Sequence, residues 1–176
     1  AIEFYEQVGK ITSDDNLNIY QSNHYLALTN TFLKNYDQAE SYFRTNIELA
    51  EGGYDRQALN FMPSLHIFAN NFDRAIEATD EYLDKLPTLE LPYIWENTQF
   101  SNTHFNRFLS YSHNQQDEDS YNEIDLYAKY RMNVIDYNKS SMTGDQYDER
   151  KQWLDYNVIL LNAWHDILFG RYDDAR

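Results

Sequence analysis

Residues 34–39 read Lys34-Asn35-Tyr36-Asp37-Gln38-Ala39, and the core of that stretch is an aromatic residue, Asp, any residue and Ala. The same core occurs in residues 70–75, which read Asn70-Asn71-Phe72-Asp73-Arg74-Ala75. It occurs again in residues 170–175, which read Gly170-Arg171-Tyr172-Asp173-Asp174-Ala175. Three copies of one short pattern in 176 residues indicate an internal repeat. A repeat indicates the architecture of the whole chain, so it is considered first.

Amphipathic segments flank each copy and predict helical hairpins. Apolar residues recur at helical spacing before the first copy and after it, so we expect two helices that Tyr36-Asp37 separates. Asp37 and Asp73 are placed to cap the second helix of their hairpins. The predicted hairpins cover residues 20–52, 55–87, 97–137 and 146–176, and the last is incomplete.

Three departures from regularity accompany these hairpins. Pro63 lies inside the first helix of the second hairpin, which predicts a kink or a late helix start there. Residues 87–96 contain two of the three prolines and predict an irregular apolar connector. In the third hairpin we expect Tyr121 at the turn and Ile124 in place of the Ala, so the turn aromatics are 36, 49 and 51 residues apart.

The hairpin with an aromatic turn residue and Ala three residues later resembles the tetratricopeptide repeat (TPR). That family also has a small residue twelve positions before this Ala, and Ala27 and Ala163 match it, whereas Pro63 does not. The resemblance implies an all-α fold, a TPR-like superhelix of antiparallel hairpins with seven to eight helices. It also implies one domain over residues 1–176, which we expect to be a piece of a longer chain.

Composition and charge limit the classes of function that we expect. A net charge of −15 repels phosphate backbones, so we expect no direct nucleic-acid binding, and we expect no membrane insertion because no stretch is long and apolar enough. The chain has no cysteine and none of the common catalytic or nucleotide-binding motifs, so we expect neither an enzyme nor a cofactor. The compartment stays open, with a soluble cytoplasmic protein favoured.

Two sets of residues could suggest metal binding. The five His residues are not spaced as metal ligands on one helix, so we expect no metal site. The acidic run from Asp117 to Asp125 lacks the Gly and Glu of a calcium loop, since Asn122 and Ala128 stand at those positions. A solvated turn followed by a helix N-terminus is the better interpretation.

In the TPR family, the first helix of each hairpin lines a concave groove that holds a partner peptide. The resemblance carries this role to nine positions by register from the turn alanines: Gln21, His24, Leu28, Gln57, Asn60, Ser64, Asn157, Leu160 and Trp164. Because these positions include neither Lys nor Arg, a neutral or basic helical segment with apolar anchors is the expected ligand.

Several functions are compatible with this groove. The first is a non-catalytic protein- or peptide-binding scaffold. The second is the sensing or regulatory segment of a larger signalling protein or transcription regulator, and the third is an enzyme whose site is built across several helices. The same residues could instead pack against a neighbouring domain, and the unfinished last repeat could support self-association.

Overall fold

The computed structural model of the chain describes residues 2, 16–50 and 55–171. Within 16–50 and 55–171 it contains seven α-helices and no strand, which confirms the prediction of an all-α fold. The helices are α1 (Asn16–Phe32), α2 (Tyr36–Leu49), α3 (Asp55–Phe68), α4 (Phe72–Lys85), α5 (Tyr93–His113), α6 (Asp117–Tyr137) and α7 (Gly144–Leu168).

The chain divides into two compact units, Ala1–Tyr82 and Leu83–Arg176. In the first unit, α1 packs on α2 and α2 packs on α3. Alanines allow these helices to approach closely, and Ala27, Ala39 and Ala58 are fully buried in one cluster with Phe43 and Met62. The small residues that carried the family resemblance in α1 and α2 therefore lie in the core of this unit.

Ion pairs supplement this core at its surface. Arg74 of α4 donates to Glu40 of α2 at 2.6 Å, and Arg44 of α2 donates to Glu81 of α4 at 2.8 Å. Both arginine side chains are at least 40% exposed. Solvent-exposed pairs of this kind contribute about 0–1 kcal/mol each, so they orient α4 more than they stabilise it.

In the second unit, α5 and α6 form an antiparallel pair, and α7 packs on α6. Its apolar cluster contains Phe108 of α5, Ile124 of α6 and Leu161 of α7. Polar contacts also join α5 to α6, since Asn133 Nδ2 donates to Asn97 Oδ1 at 2.7 Å. The long helices of this unit therefore meet over mixed apolar and polar surfaces.

One turn geometry occurs four times within the part of the chain that the structure describes. Lys34, Asn70, Gln115 and Gly170 each have a positive φ, between 55° and 76°. The residue after each donates its backbone N–H to the carbonyl five residues earlier, at 2.7 to 2.9 Å. This pattern is the Schellman motif that ends helices, so one device closes α1, α3, α5 and α7.

The third turn corrects the predicted register of the repeat. Gln115 has the left-handed conformation there, so Asp117 takes the place of the turn aromatic and Ser120, which is fully buried, takes the place of the Ala. Tyr121 and Ile124 lie one turn further along α6, and their assignment to the turn was wrong. The left-handed residues of these four turns are 36, 45 and 55 positions apart, so the distance between turns grows along the chain while the turn is unchanged.

Other boundaries also differ from the prediction. The helices α2 and α4 begin one residue before Asp37 and Asp73. These two residues therefore lie in the first turn of their helices and are not the N-cap residues. The helix α3 does not start late, because it begins at Asp55 and continues through Pro63. Met62 and Leu65 are buried beside that proline. Tertiary packing here outweighs the roughly 3 kcal/mol that an interior proline costs an isolated helix.

The predicted connector is shorter than expected. A 3-10 turn at Leu86–Leu89 follows α4, and α5 already begins at Tyr93 instead of at residue 97. Leu86 is fully buried, which anchors this turn. Two predicted bounds lie outside the described residues: the end of the first hairpin at residues 51–52, and the incomplete hairpin half at residues 172–176.

Candidate functional site

An apolar groove in the first unit is the candidate site. It has a volume of about 450 Å³ and lies between α1 and α3, the first helices of two successive hairpins. The lining residues come from α1, α2, α3 and the first turn: Leu28, Thr31, Phe32, Lys34, Tyr36, Phe43, Phe61, Ser64, Leu65 and Phe68. A volume of this size falls within the range of binding pockets, which runs from about 300 to 1,000 Å³.

A cluster of rings forms the floor of the groove. Phe43 of α2 is buried and stacks on Phe61 of α3, with ring centroids 6.0 Å apart and planes 4° apart. The His24 ring meets both of them edge-on, at 6.1 Å from Phe43 and 5.5 Å from Phe61. The floor is therefore aromatic, and each of these three rings contacts the other two.

His24 is polar within this ring cluster. Its Nδ1 is buried and makes no hydrogen bond. Burial lowers the pKa of its imidazole below the usual 6.5, because the charged form would lose hydration without gaining a partner. The ring is therefore neutral at pH 7 and acts as part of the aromatic wall.

Two exposed phenylalanines form the rim of the groove. Phe32 is 86% exposed and Phe68 is 64% exposed. They occupy equivalent positions, each seven residues before the turn alanine of its hairpin. Two large apolar rings held in solvent beside an apolar groove form the kind of surface that binds partners.

The groove also contains a positive charge that the sequence analysis did not assign to it. Lys34, in the left-handed conformation of the first turn, lies among its lining residues. The nine predicted positions include neither Lys nor Arg, and the groove of the structure therefore differs from the predicted one at this end.

The structure brings two of the six predicted residues of the first unit into this groove. Leu28 and Ser64, which are equivalent positions in α1 and α3, both line it. His24 is half-buried and contacts the groove through the rings of its floor. Gln21, Asn60 and Gln57 are not among its lining residues within the described part of the chain.

The other three predicted residues lie on α7, in the second unit. Leu160 and Trp164 are exposed by 47% and 41%, and the edge of Trp164 meets the Phe108 ring at a centroid distance of 5.9 Å. The Asn157 amide donates to the backbone oxygen of Trp153 at 2.6 Å within its own helix. Leu160 and Trp164 belong to an apolar surface of the second unit.

Sequence reasoning missed the rim of the groove. It selected three positions in each first helix by register and stopped one turn before Phe32 and Phe68. A signal was present, since an alignment of the two hairpins on Ala39 and Ala75 places these two phenylalanines opposite each other. A shared large apolar residue beside a polar turn indicates a role outside the core.

A buried polar network lies in the second unit. Glu123 Oε2 is 2.6 Å from His104 Nδ1, and Glu123 Oε1 accepts a hydrogen bond from Arg107 Nε at 2.8 Å. The ring of His104 stacks on Tyr130 at 5.3 Å with planes 3° apart. Glu123 is only 5% exposed, so its expected place among solvated acidic residues was wrong.

Glu123 is buried instead of solvated because other side chains bind its carboxylate. A carboxylate enters a core only when other groups satisfy it, and His104 and Arg107, sixteen and more residues earlier, do so here. Asp117, Glu118 and Asp119 do lie in the first turn of α6, as the sequence indicated. This network orients two helices, and each carboxylate oxygen already has a partner.

Metal ions and membranes are two further classes of ligand that helical proteins bind. Across 16–50 and 55–171, no group of three or more His, Asp or Glu side chains is placed to bind a metal ion. None of the helices in those ranges is both long enough and apolar enough to span a bilayer.

Comparisons with known proteins add no further information. No protein-family model, curated protein or solved structure matches this chain. The site must therefore be interpreted from its own geometry.

Proposed function

We propose that the first unit is a non-catalytic peptide-binding module and that its groove between α1 and α3 is the binding site. The observation that carries the proposal is the pair Phe32 and Phe68, which are exposed at equivalent positions on the rim of an apolar groove. A folded chain gains no stability from holding such rings in water, so their placement points to a ligand that covers them.

The TPR resemblance supports the same site. In that family, the first helices of successive hairpins line the concave groove, and α1 and α3 hold those positions in the first two hairpins. The Schellman turns after α1 and α3 support the comparison of the two hairpins with each other, because both turns have the same hydrogen bonds and the same left-handed residue position.

The ligand that fits is an amphipathic helical segment with large apolar anchors and basic or neutral flanks. Phe32, Phe61 and Phe68 offer apolar contact area in a groove of about 450 Å³, and the buried Phe43 supports the Phe61 ring. The net charge of −15 attracts basic segments and repels acidic ones over distances of about a Debye length. Lys34 adds one local donor at the end of the groove, which suits a backbone carbonyl at the end of a bound helix.

A panel of labelled peptides tests this proposal. Three peptides of about 15 residues carry Leu and Phe anchors at helical spacing, with Lys, Gln or Glu at all other positions, and a fourth scrambles the Lys peptide. We expect fluorescence anisotropy to show binding of the Lys and Gln peptides, weaker binding of the Glu peptide and none of the scrambled one. Equal binding of the ordered and scrambled peptides would overturn the proposal.

Two variants locate the binding. Phe32→Ala combined with Phe68→Ala should lower the affinity for the Lys peptide by about 30-fold or more, as loss of hot-spot residues does. Both rings are exposed, so the melting temperature should change little. The matched control Ile159→Ala removes an equally exposed apolar side chain from α7 and should leave affinity unchanged. Unchanged binding by the Phe double variant would also refute the assignment.

A further inference from the structure

The helix α7 carries a second apolar surface, which we call the α7 stripe. It consists of five large side chains, each 41 to 59% exposed: Trp153, Tyr156, Leu160, Trp164 and Ile167. At 100° per residue they fall within a sector of about 80° and extend over roughly 21 Å of helix. Scattered exposed apolar residues are ordinary, whereas five in one continuous stripe are not.

The core of the second unit does not need this stripe. A different face of α7 packs on the unit, through Leu154, Val158, Leu161 and His165, and its centre lies about 130° around the helix from the centre of the stripe. Of the stripe, Trp164 touches Phe108 at its edge, and Trp153 lies beneath the guanidinium of Arg131 at 6.0 Å. These contacts fix the two indoles and leave their outer faces in solvent.

The spacing of the stripe is symmetric about its centre. From Trp153 to Ile167 the intervals are three, four, four and three residues, with Leu160 in the middle. An antiparallel second helix with the same sequence would therefore place Leu160 against Leu160, Tyr156 against Trp164, and Trp153 against Ile167. The mean interval of 3.5 residues is that of helices that pack along a shared seam.

We infer that the α7 stripe binds the α7 stripe of a second copy of this chain, antiparallel, with Leu160 on the two-fold axis. A two-fold contact uses one surface twice, so the surface must complement itself, and the symmetric spacing meets that condition. Antiparallel α7 helices also align their dipoles favourably.

The charge distribution on α7 is compatible with this occupant. Two copies of a chain with a net charge of −15 repel each other, so a contact between them must be free of acidic side chains. Between Trp153 and Ile167, all of which the structure describes, the acidic residues are Asp155 and Asp166. Both project more than 90° from the middle of the stripe, on the far side of α7.

The area is sufficient for a modest dimer. Five half-exposed side chains of this size offer on the order of 500 Å² per copy, or about 1,000 Å² for the pair. That total is at the lower end of specific interfaces, so we expect a dimer that dissociates on dilution.

Sedimentation of the full 176-residue chain between about 1 and 100 μM tests this inference. We expect a monomer–dimer equilibrium that Leu160→Glu shifts to monomer at every concentration. The control Ile159→Glu changes the adjacent residue, which is 64% exposed but lies outside the stripe, and should still dimerise. A monomeric parent chain, or a dimer that Leu160→Glu does not weaken, would overturn the inference.

Cysteine crosslinking tests the orientation and does not depend on a disruptive substitution. The chain has no cysteine, so Leu160→Cys introduces a single thiol on the proposed axis, where the two facing residues would lie within disulfide range. We expect mild oxidation to link Leu160→Cys into dimers, and Trp153→Cys to link with Ile167→Cys when the two variants are mixed. Linkage of Trp153→Cys to itself, which a parallel pair would give, would refute the arrangement.

The peptide groove and the α7 stripe can be tested apart. Phe32→Glu should leave sedimentation unchanged, whereas Leu160→Glu should leave peptide affinity unchanged. Failure of one proposal therefore leaves the other standing.

Discussion

Arg171 donates a hydrogen bond to His165 Nδ1 at 2.8 Å and so fixes the imidazole that fills the end of the second unit. His165 is fully buried, and its Nε2 lies 3.2 Å from the backbone oxygen of Asp117. The same guanidinium donates to both carboxylate oxygens of Asp117 and to Asp166. Arg171 thereby ties the first residue of α6 to the last turn of α7.

This arrangement predicts an acid-sensitive contact. The hydrogen bond from Arg171 lowers the pKa of the Asp117 carboxyl. A carboxyl with a lowered pKa stabilises the fold at pH values above its unfolded pKa of about 3.9, and this contribution is lost as pH falls through the folded value. We expect NMR titration to give Asp117 a midpoint below that of a model peptide, and Arg171→Met to raise it.

Arg131→Met is the control for this titration, because it removes a guanidinium that lies over Trp153. It should leave the Asp117 midpoint in place. An Asp117 midpoint that Arg171→Met does not move would show that the hydrogen bond is absent in solution.

A second prediction concerns the buried imidazoles of the first unit. Burial lowers the pKa of His24 and, against the opposing charge of Glu40, also that of His66. The unfolded chain takes up these protons near pH 6.5 while the folded chain does not, so the unfolding free energy should fall as pH decreases below about 6.5. Urea unfolding at several pH values measures this slope.

His24→Phe should make the slope shallower, because a phenyl ring fits among Phe43 and Phe61 without taking up a proton. His66 would supply the slope that remains. The matched variant Tyr25→Phe changes a ring next to His24 and keeps the imidazole, so its slope should equal that of the parent. A slope unaffected by His24→Phe would contradict the prediction.

The repeat and the all-α architecture could be predicted because they depend on local patterns. The helical spacing of apolar residues located all seven helices to within a few residues, and the aromatic-Asp-x-Ala pattern located the turns at Lys34 and Asn70. The third turn could not be found in this way. Its left-handed residue is Gln115, and no aromatic or Ala follows it at the expected place.

The site was less predictable than the fold, for a physical reason. Leu28 and Ser64 follow from the repeat register, but the outline of the groove depends on where rings from α2 and α3 stack. The burial of Glu123 likewise depends on His104 and Arg107, which lie on another helix. Contacts between distant residues leave little trace in a single sequence.

A third prediction concerns that buried carboxylate. Glu123→Leu should destabilise the chain by about 3–5 kcal/mol, because Arg107 and His104 would lose the partner that satisfies them. Glu123→Gln retains an acceptor and should cost clearly less. The exposed substitution Glu118→Gln on the same helix should cost under about 0.5 kcal/mol. Thermal and urea unfolding measure these changes in the free energy of unfolding. Equal losses of stability for Leu and Gln at position 123 would contradict the prediction.

A fourth prediction uses the left-handed turns. Gln115 has φ 59°, where an ordinary side chain costs about 1–2 kcal/mol relative to Gly. The greater freedom of Gly in the unfolded chain offsets part of that difference, so Gln115→Gly should stabilise the chain by roughly 0.5–1 kcal/mol. Gln116→Gly, one residue later at φ −95°, should give no gain. Equal effects at the two positions would show that the turn conformation is not the cause.

The four Schellman turns also bear on how quickly this chain can fold. Those at Lys34, Asn70 and Gln115 each connect two helices through so few residues that their packed contacts are close in sequence, which keeps the contact order low. Added helix length between turns, from 36 to 55 positions, raises the loop-closure entropy only logarithmically. Hairpins built in this way can therefore grow by whole helical turns without slowing the search for the native pairing.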